Sequence, residues 1–177
     1  MEIRLAEKSN LELFFQYLDI HLHDNGSNET PVFQPLSRKD SIVSDEVKNK
    51  FLTGVNKTVG EDGWRTLMLA FIDQTIIGHI DIRSHPNKSS SHRALLGMGV
   101  DAMHRGKGVG EQLLKFLLEW MRVNTVFEYL DLQVMSGNVA AISLYKKMGF
   151  TTCGEIRDLY RIDGKSVSET LMLLRLR

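Results

Sequence analysis

The sequence predicts an α/β fold of the α+β type: a single mixed, mostly antiparallel twisted sheet flanked by helices. Two patterns carry this expectation. Apolar-rich runs bounded by turn pairs fall at 66–72, 75–83 and 151–176, as antiparallel hairpins require. Other stretches place apolar residues at helical spacing, most clearly over 108–123, where they make one continuous stripe. Strands with helices inserted at intervals pack as layers on one sheet.

The elements follow in order. Residues 2–5 make a first strand. Ser9 can cap a helix over 10–21, with Leu11, Phe14, Phe15 and Leu18 on one face. Glycine, asparagines and two prolines make 23–35 a loop. A second helix is predicted over 39–56, with Val43, Val47 and Phe51 aligned. Strands are predicted over 66–72 and 75–83 around the turn Asp73-Gln74, and a further strand over 92–100. In the second of these, Ile76, Gly78, Ile80 and Ile82 alternate against His79, Asp81 and Arg83, which predicts a polar, solvated face. A helix over 108–123, a strand over 129–135 and a short helix over 138–148 come next. Strands over 151–162 and 166–176 close the chain around the hairpin pair Asp163-Gly164.

Length and composition narrow the function classes. The 177 residues suit one domain, 1–177. Twenty-two basic residues balance 22 acidic ones, so no charge surplus is available for nucleic acid. The N-terminal segment Met1–Glu7 carries charges where a secretion signal needs an apolar core. No apolar run approaches the ~18 residues of a membrane span. The single cysteine, Cys153, excludes a disulfide framework and a cysteine zinc site within the chain, and its strand setting predicts a small buried hydrophobe. A cytoplasmic protein without a metal, and without nucleic-acid or membrane partners, is expected.

The most informative stretch is Arg105-Gly106-Lys107-Gly108-Val109-Gly110, between a strand and a long amphipathic helix. Glycines let backbone N–H groups approach a ligand closely. A helix N-terminus adds unpaired donors and a positive partial charge, a ready seat for phosphate oxygens. The spacing departs from the nucleotide-hydrolase loop, which needs G-x-x-x-x-G-K-[ST]. It also departs from the dinucleotide fingerprint G-x-G-x-x-G, although Asp131 lies where that fingerprint places an acid.

Here the sequence resembles a family. Arg105 to Gly110 is similar to the [QR]-x-x-G-x-[GA] motif of the GNAT superfamily of N-acetyltransferases, and Asn138 to Phe150 is similar to its N-x-x-A-x-x-L-Y-x-x-x-G-F block. The resemblance implies the GNAT acyl-CoA N-acyltransferase fold, and acetyl-CoA as co-substrate held by Met98, Val100, Arg105, Gly106, Lys107, Gly108, Val109, Gly110, Asn138 and Tyr145. It implies transfer to a primary amine of a small molecule or a protein. It points to the amine- and protein-acetylating branches, with monomer or homodimer left open. Two rival classes stand beside it: an acyl-CoA-binding module without turnover, and a nucleotide-binding protein.

Acyl transfer needs an oxyanion donor, an acid for the leaving thiolate and a base for the amine. The resemblance puts the donor at a splayed point of the strand, matched by Gly97-Met98-Gly99; two glycines in a strand mark a bulge or a close backbone approach. Tyr145, protonated near neutrality, is the expected acid. Asn138 is in addition a good N-cap. His79, Asp81, Asp131 and Glu169 are candidate bases, with a solvated strand face as the simpler expectation, and no base is assigned. By resemblance the amine enters past the loop 23–35 and the terminal hairpin. Asp24 and Glu29 offer it charge there, and Phe33 offers an apolar surface.

Overall fold

The computed structural model describes residues 1–27 and 30–177. Seven strands form one sheet: β1 (Glu2–Leu5), β2 (Arg65–Ile72), β3 (Thr75–Ser84), β4 (Arg93–Val100), β5 (Tyr129–Met135), β6 (Thr151–Ile162) and β7 (Lys165–Arg175). Their spatial order is β1-β2-β3-β4-β5-β7-β6. Every neighbouring pair is antiparallel except β4 and β5. Four α-helices accompany the sheet: α1 (Leu11–His23), α2 (Asp45–Gly54), α3 (Val109–Asn124) and α4 (Val139–Lys147). Strands and helices follow one another in the expected order.

Each face of the sheet has its own apolar core. On one face, Leu113, Leu114 and Leu117 of α3 and Tyr145 of α4 pack with Met68, Ile80, Leu132 and Met172. On the other, Phe14 and Leu18 of α1 and Phe51 of α2 pack with Leu67, Leu69 and Ile76. The helical stripes account for both. Close approach is built in on the first face, because a Cβ on Gly78 would lie 3.2 Å from Val109 and 3.1 Å from Leu113. No helix is long and apolar enough to cross a membrane, among the described residues.

Local competition shifts several expected elements. The second helix begins at Asp45 rather than 39, because Ser44 caps it, its Oγ accepting from the Val47 N–H at 3.3 Å. The residues before it serve another purpose. Buried Asn25 donates to the carbonyls of Gln34 and Leu36 and to Ser41 Oγ, and accepts from the N–H groups of Phe33 and Gln34. One side chain thereby replaces the missing secondary structure of a long loop. A register shift between Ala70 and Phe71 sets Ile77 as an extra residue against β2. Ile76 is turned to the α1/α2 core and Ile77 to the α3/α4 core, so the simple alternation breaks at its first member. The polar face of β3 is not solvated: His79 and Asp81 are buried, because α1 and α2 cover it. Glu169 on β7 is buried as well. Cys153 is exposed, contrary to expectation. It is the extra residue of a shift between Thr152 and Gly154 on β6, which pairs only with β7.

The two glycines of β4 follow from close approach rather than a bulge, since the β3–β4 register runs unbroken from Gly78↔Val100 to Ser84↔Ala94. A Cβ on Gly97 would lie 2.5 Å from Asp81 Oδ1, and one on Gly99 would lie 2.6 Å from both His21 Nε2 and His79 Cε1. Replacing Gly99 by Ala should therefore destabilise the protein by ~1–3 kcal/mol, the usual range for overpacking. Gly154→Ala, which meets nothing within 4 Å, should be nearly neutral. Urea unfolding of the two variants checks this, and equal midpoints would contradict it.

Candidate active site

The β4–β5 pairing defines the site. The strands run parallel and in register only for Arg93↔Tyr129, Ala94↔Leu130 and Leu95↔Asp131. Beyond Leu95 the sheet splits. The Asp101 N–H donates to the Ile77 carbonyl at 2.9 Å. Alternation along an antiparallel pair then directs the backbone groups of Gly99 and Gly97 to β3, and those of Met98 and Val100 to the split. Loss of pairing with β5 thus leaves Met98 and Val100 on an edge of β4 that has no strand partner. A cleft of about 1640 Å³ occupies the split and runs from Arg105 and Gly108 past Met98 and Tyr145 to Tyr160 and Glu169.

At one end stands the glycine loop. Gly106 and Gly108 adopt left-handed conformations, φ 71° and 83°, which glycine takes without steric penalty. Gly108 is the N-cap of α3, and no side chain caps that helix, so its first N–H groups stay available to a ligand. A Cβ on Gly106 would meet nothing within 4 Å, so the loop surface is open. Gly110 has a different role from the other two: a Cβ there would lie 2.9 Å from Leu144, so its absence lets α3 approach α4. Lys107 is exposed and stands outside the cleft lining. In the first turn of α3, hydrogen bonds from Lys147 and Lys115 hold Glu111 down at about pKa 2. Its charge is thereby balanced beside the helix terminus.

Arg105 turns away from the open loop surface. Its guanidinium pairs with Asp24 Oδ2 at 2.5 Å and donates to Thr30 Oγ1 and to the Val100 carbonyl at 3.1 Å each. Nη2 is buried and has no partner among the described residues. Asp24 also accepts from Ser27 and Thr30. Burial pushes its pKa up, but these hydrogen bonds and Arg105 outweigh that and hold it below the usual carboxylate range. The geometry therefore corrects the expectation of free charge at this position: Asp24 is spent on Arg105. Glu29 lies outside the described residues. Phe33 lines the cleft with its ring 4.7 Å from that of His21.

Across the split, Asn138 caps α4, its side chain accepting from the Ala141 N–H at 3.3 Å. Tyr145, two turns on, is buried against Phe150 and still lines the cleft. Burial pushes its hydroxyl up to about 12, so it is protonated throughout the neutral range.

Under β4 lies a polar cluster that periodicity does not reveal. Tyr17 Oη donates to the Gly99 carbonyl at 3.2 Å. Its single proton is thereby used, so the His79 Nδ1 contact at 3.2 Å must be donated by His79. Burial holds His79 down at about pKa 4 and, with His79 and Arg105 nearby, His21 down at about 3. Asp81 is paired with Arg65 at 3.2 Å and Arg83 at 3.3 Å, and Asp131 with Arg93 at 2.5 Å. His79, Asp81 and Asp131, three of the candidate bases, are therefore committed to structure. Tyr17, His21 and Asn25 carry no motif; apolar spacing on α1 shows Tyr17 and His21 only as members of a helix face.

Comparison with known proteins bears on the family and the fold. The acetyltransferase (GNAT) family model matches residues 36–150. Streptothricin acetyltransferase of Escherichia coli is 29% identical over 172 residues, covering 96% of this chain and 88% of that one. A GNAT-family acetyltransferase from Streptococcus pneumoniae superposes with a TM-score of 0.79 at 25% identity, over 98% of both chains. The structure of yncA from Salmonella typhimurium with its cofactor acetyl-CoA shares the fold, with a TM-score of 0.76 at 19% identity over 100% of this chain and 94% of that one. The chain belongs to the acetyltransferase (GNAT) family.

Proposed function

We propose that this chain transfers the acetyl group of acetyl-CoA to a primary amine, of a small molecule or a protein, by direct attack within a ternary complex. The observation that carries the reading is the split between β4 and β5. It leaves an unpaired strand edge, and the edge leads from an open helix N-terminus to a buried, protonated tyrosine. These residues fit the co-substrate. The N–H groups of the loop Gly106 to Gly110, with the terminus of α3, would hold its pyrophosphate. The backbone of Val100 and Met98 would pair with its pantetheine arm as a missing strand would. Acetyl-CoA supplies an activated thioester there.

The remaining steps belong to the chain. The Met98 N–H, fixed on the β3 side by an unbroken register, is a preorganised donor for the oxyanion. Tyr145, buried, protonated and on the lining of the cleft, is the hydroxyl placed to give its proton to the departing sulfur. Arg105 acts through Asp24. It ties the loop after α1 to the carbonyl of Val100, which places Phe33 beside the cleft.

Release of free thiol from acetyl-CoA, followed over a panel of polyamines, amino acids and peptide N-termini, tests the activity. Gly108→Asp should weaken acetyl-CoA binding by at least ~10²-fold in calorimetry, since it sets a carboxylate where the loop offers an N–H. Retained affinity would remove the loop from the account. Tyr145→Phe should lower kcat by ~10²-fold and leave the unfolding midpoint unchanged. Unchanged turnover would make Tyr145 a packing residue only.

A further inference from the structure

Five acids among the described residues line the cleft: Asp40, Asp62, Asp81, Glu111 and Glu169. Asp40 and Asp62 are exposed to water, Asp81 is held by Arg65 and Arg83, and Glu111 by Lys115 and Lys147. Glu169 is the buried acid without a cation. It is only 4% exposed, yet it enters no ion pair with any described residue. Its one hydrogen bond comes from the neutral Tyr160 hydroxyl, which donates to Oε1 at 3.2 Å. Burial and the Glu169 charge both raise the pKa of that tyrosine, so Tyr160 keeps its proton. A buried carboxylate without a cation is costly, and this one lines the cleft.

Its placement follows from register. On β7, Met172 belongs to the α3/α4 core together with Tyr145. Side chains alternate along a strand, so residue 169 points to the opposite face. It sits opposite Met135 of β5, on the strand that forms the far wall of the split. Tyr145 and Glu169 therefore border the same cleft from opposite faces of the sheet. Three other side chains of the lining carry a buried nitrogen without a partner among the described residues, His21 Nδ1, His85 Nδ1 and Arg105 Nη2. Burial holds His21 near pKa 3, a poor proton acceptor, a guanidinium has no acceptor to offer, and neither histidine carries the charge that would draw a cation to the cleft.

We infer that Glu169 is the catalytic base, and that the acceptor is an aliphatic primary amine that arrives as its ammonium ion. This rests on the acetyltransferase reading above. An alkyl ammonium, pKa roughly 10.4, meets the unpaired carboxylate and passes it one proton. The freed nitrogen lone pair forms the C–N bond as the C–S bond breaks. Sulfur takes the Tyr145 proton, and the second proton that nitrogen loses on becoming an amide restores Tyr145. Glu169 returns its proton to water, so one proton is released per turnover.

Glu169→Gln keeps an acceptor for the Tyr160 hydroxyl and removes the charge. With 1,5-diaminopentane and glycinamide as probes it should lower kcat by ~10²-fold, the range for a positioned base. Acetyl-CoA affinity should not change, and the unfolding midpoint should not fall, since the substitution removes an uncompensated buried charge. In Glu169→Ala, added formate should restore part of the lost rate, which a packing role would not allow. Turnover by Glu169→Gln within about twofold of wild type, or absence of formate rescue, would overturn the assignment and leave the acetyltransferase reading intact. Absence of turnover in the wild type with every amine of the panel would instead overturn both.

Discussion

The structure depends on a pairing that stops. β4 and β5 share three register positions and then separate, while β4 stays bonded to β3 along its whole length. Beyond Leu95 the edge of β4 has no strand partner and faces the cleft, with the Val100 carbonyl met, among the described residues, by Arg105 Nε alone. The fold accepts this where a ligand can complete the ladder. The cleft, the loop before α3 and the placement of Tyr145 on α4 are all arranged around that edge.

Holding a strand with one free side requires support from below, and this is what the buried polar groups provide. The chain from His79 through Tyr17 to the Gly99 carbonyl fixes the peptide unit that joins Gly99 to Val100. Asp81, clamped by two arginines, packs against the bare backbone of Gly97. Linked hydrogen bonds polarise one another, so the cluster both stiffens β4 and strengthens the donor that Val100 presents to the split. Glycine at 97 and 99 is the condition for this, because any side chain there would displace the polar groups beneath.

Much of this was legible in the sequence because it is local. The order of elements, the glycine turn before α3 and the Asn138 cap follow from spacing within a few residues, while Tyr145 is singled out by resemblance to a short family block. Buried partnerships are not local. Alternation on β3 separates His79 and Asp81 from Ile80 and Ile82, but it does not show that α1 and α2 cover the polar side. The turning of Ile76 and the exposure of Cys153 come from single extra residues that shift register, which no periodicity reveals. The start of α2 is set by the Ser44 cap, and the residues before it are bound instead by Asn25, whose partners lie 8 to 16 positions further along the chain. The use of Asp24 as a partner for Arg105 spans 81 residues of sequence, beyond any motif.

Amide hydrogen exchange along β4, measured with and without acetyl-CoA, tests the central claim most directly. Without ligand, the Gly97 and Gly99 amides should be protected by β3, whereas those of Met98 and Val100 should exchange fast. Acetyl-CoA should slow Met98 and Val100 selectively and leave Gly97 and Gly99 unchanged. Protection of Met98 and Val100 before ligand is added, or no change in them at saturating acetyl-CoA, would contradict the account.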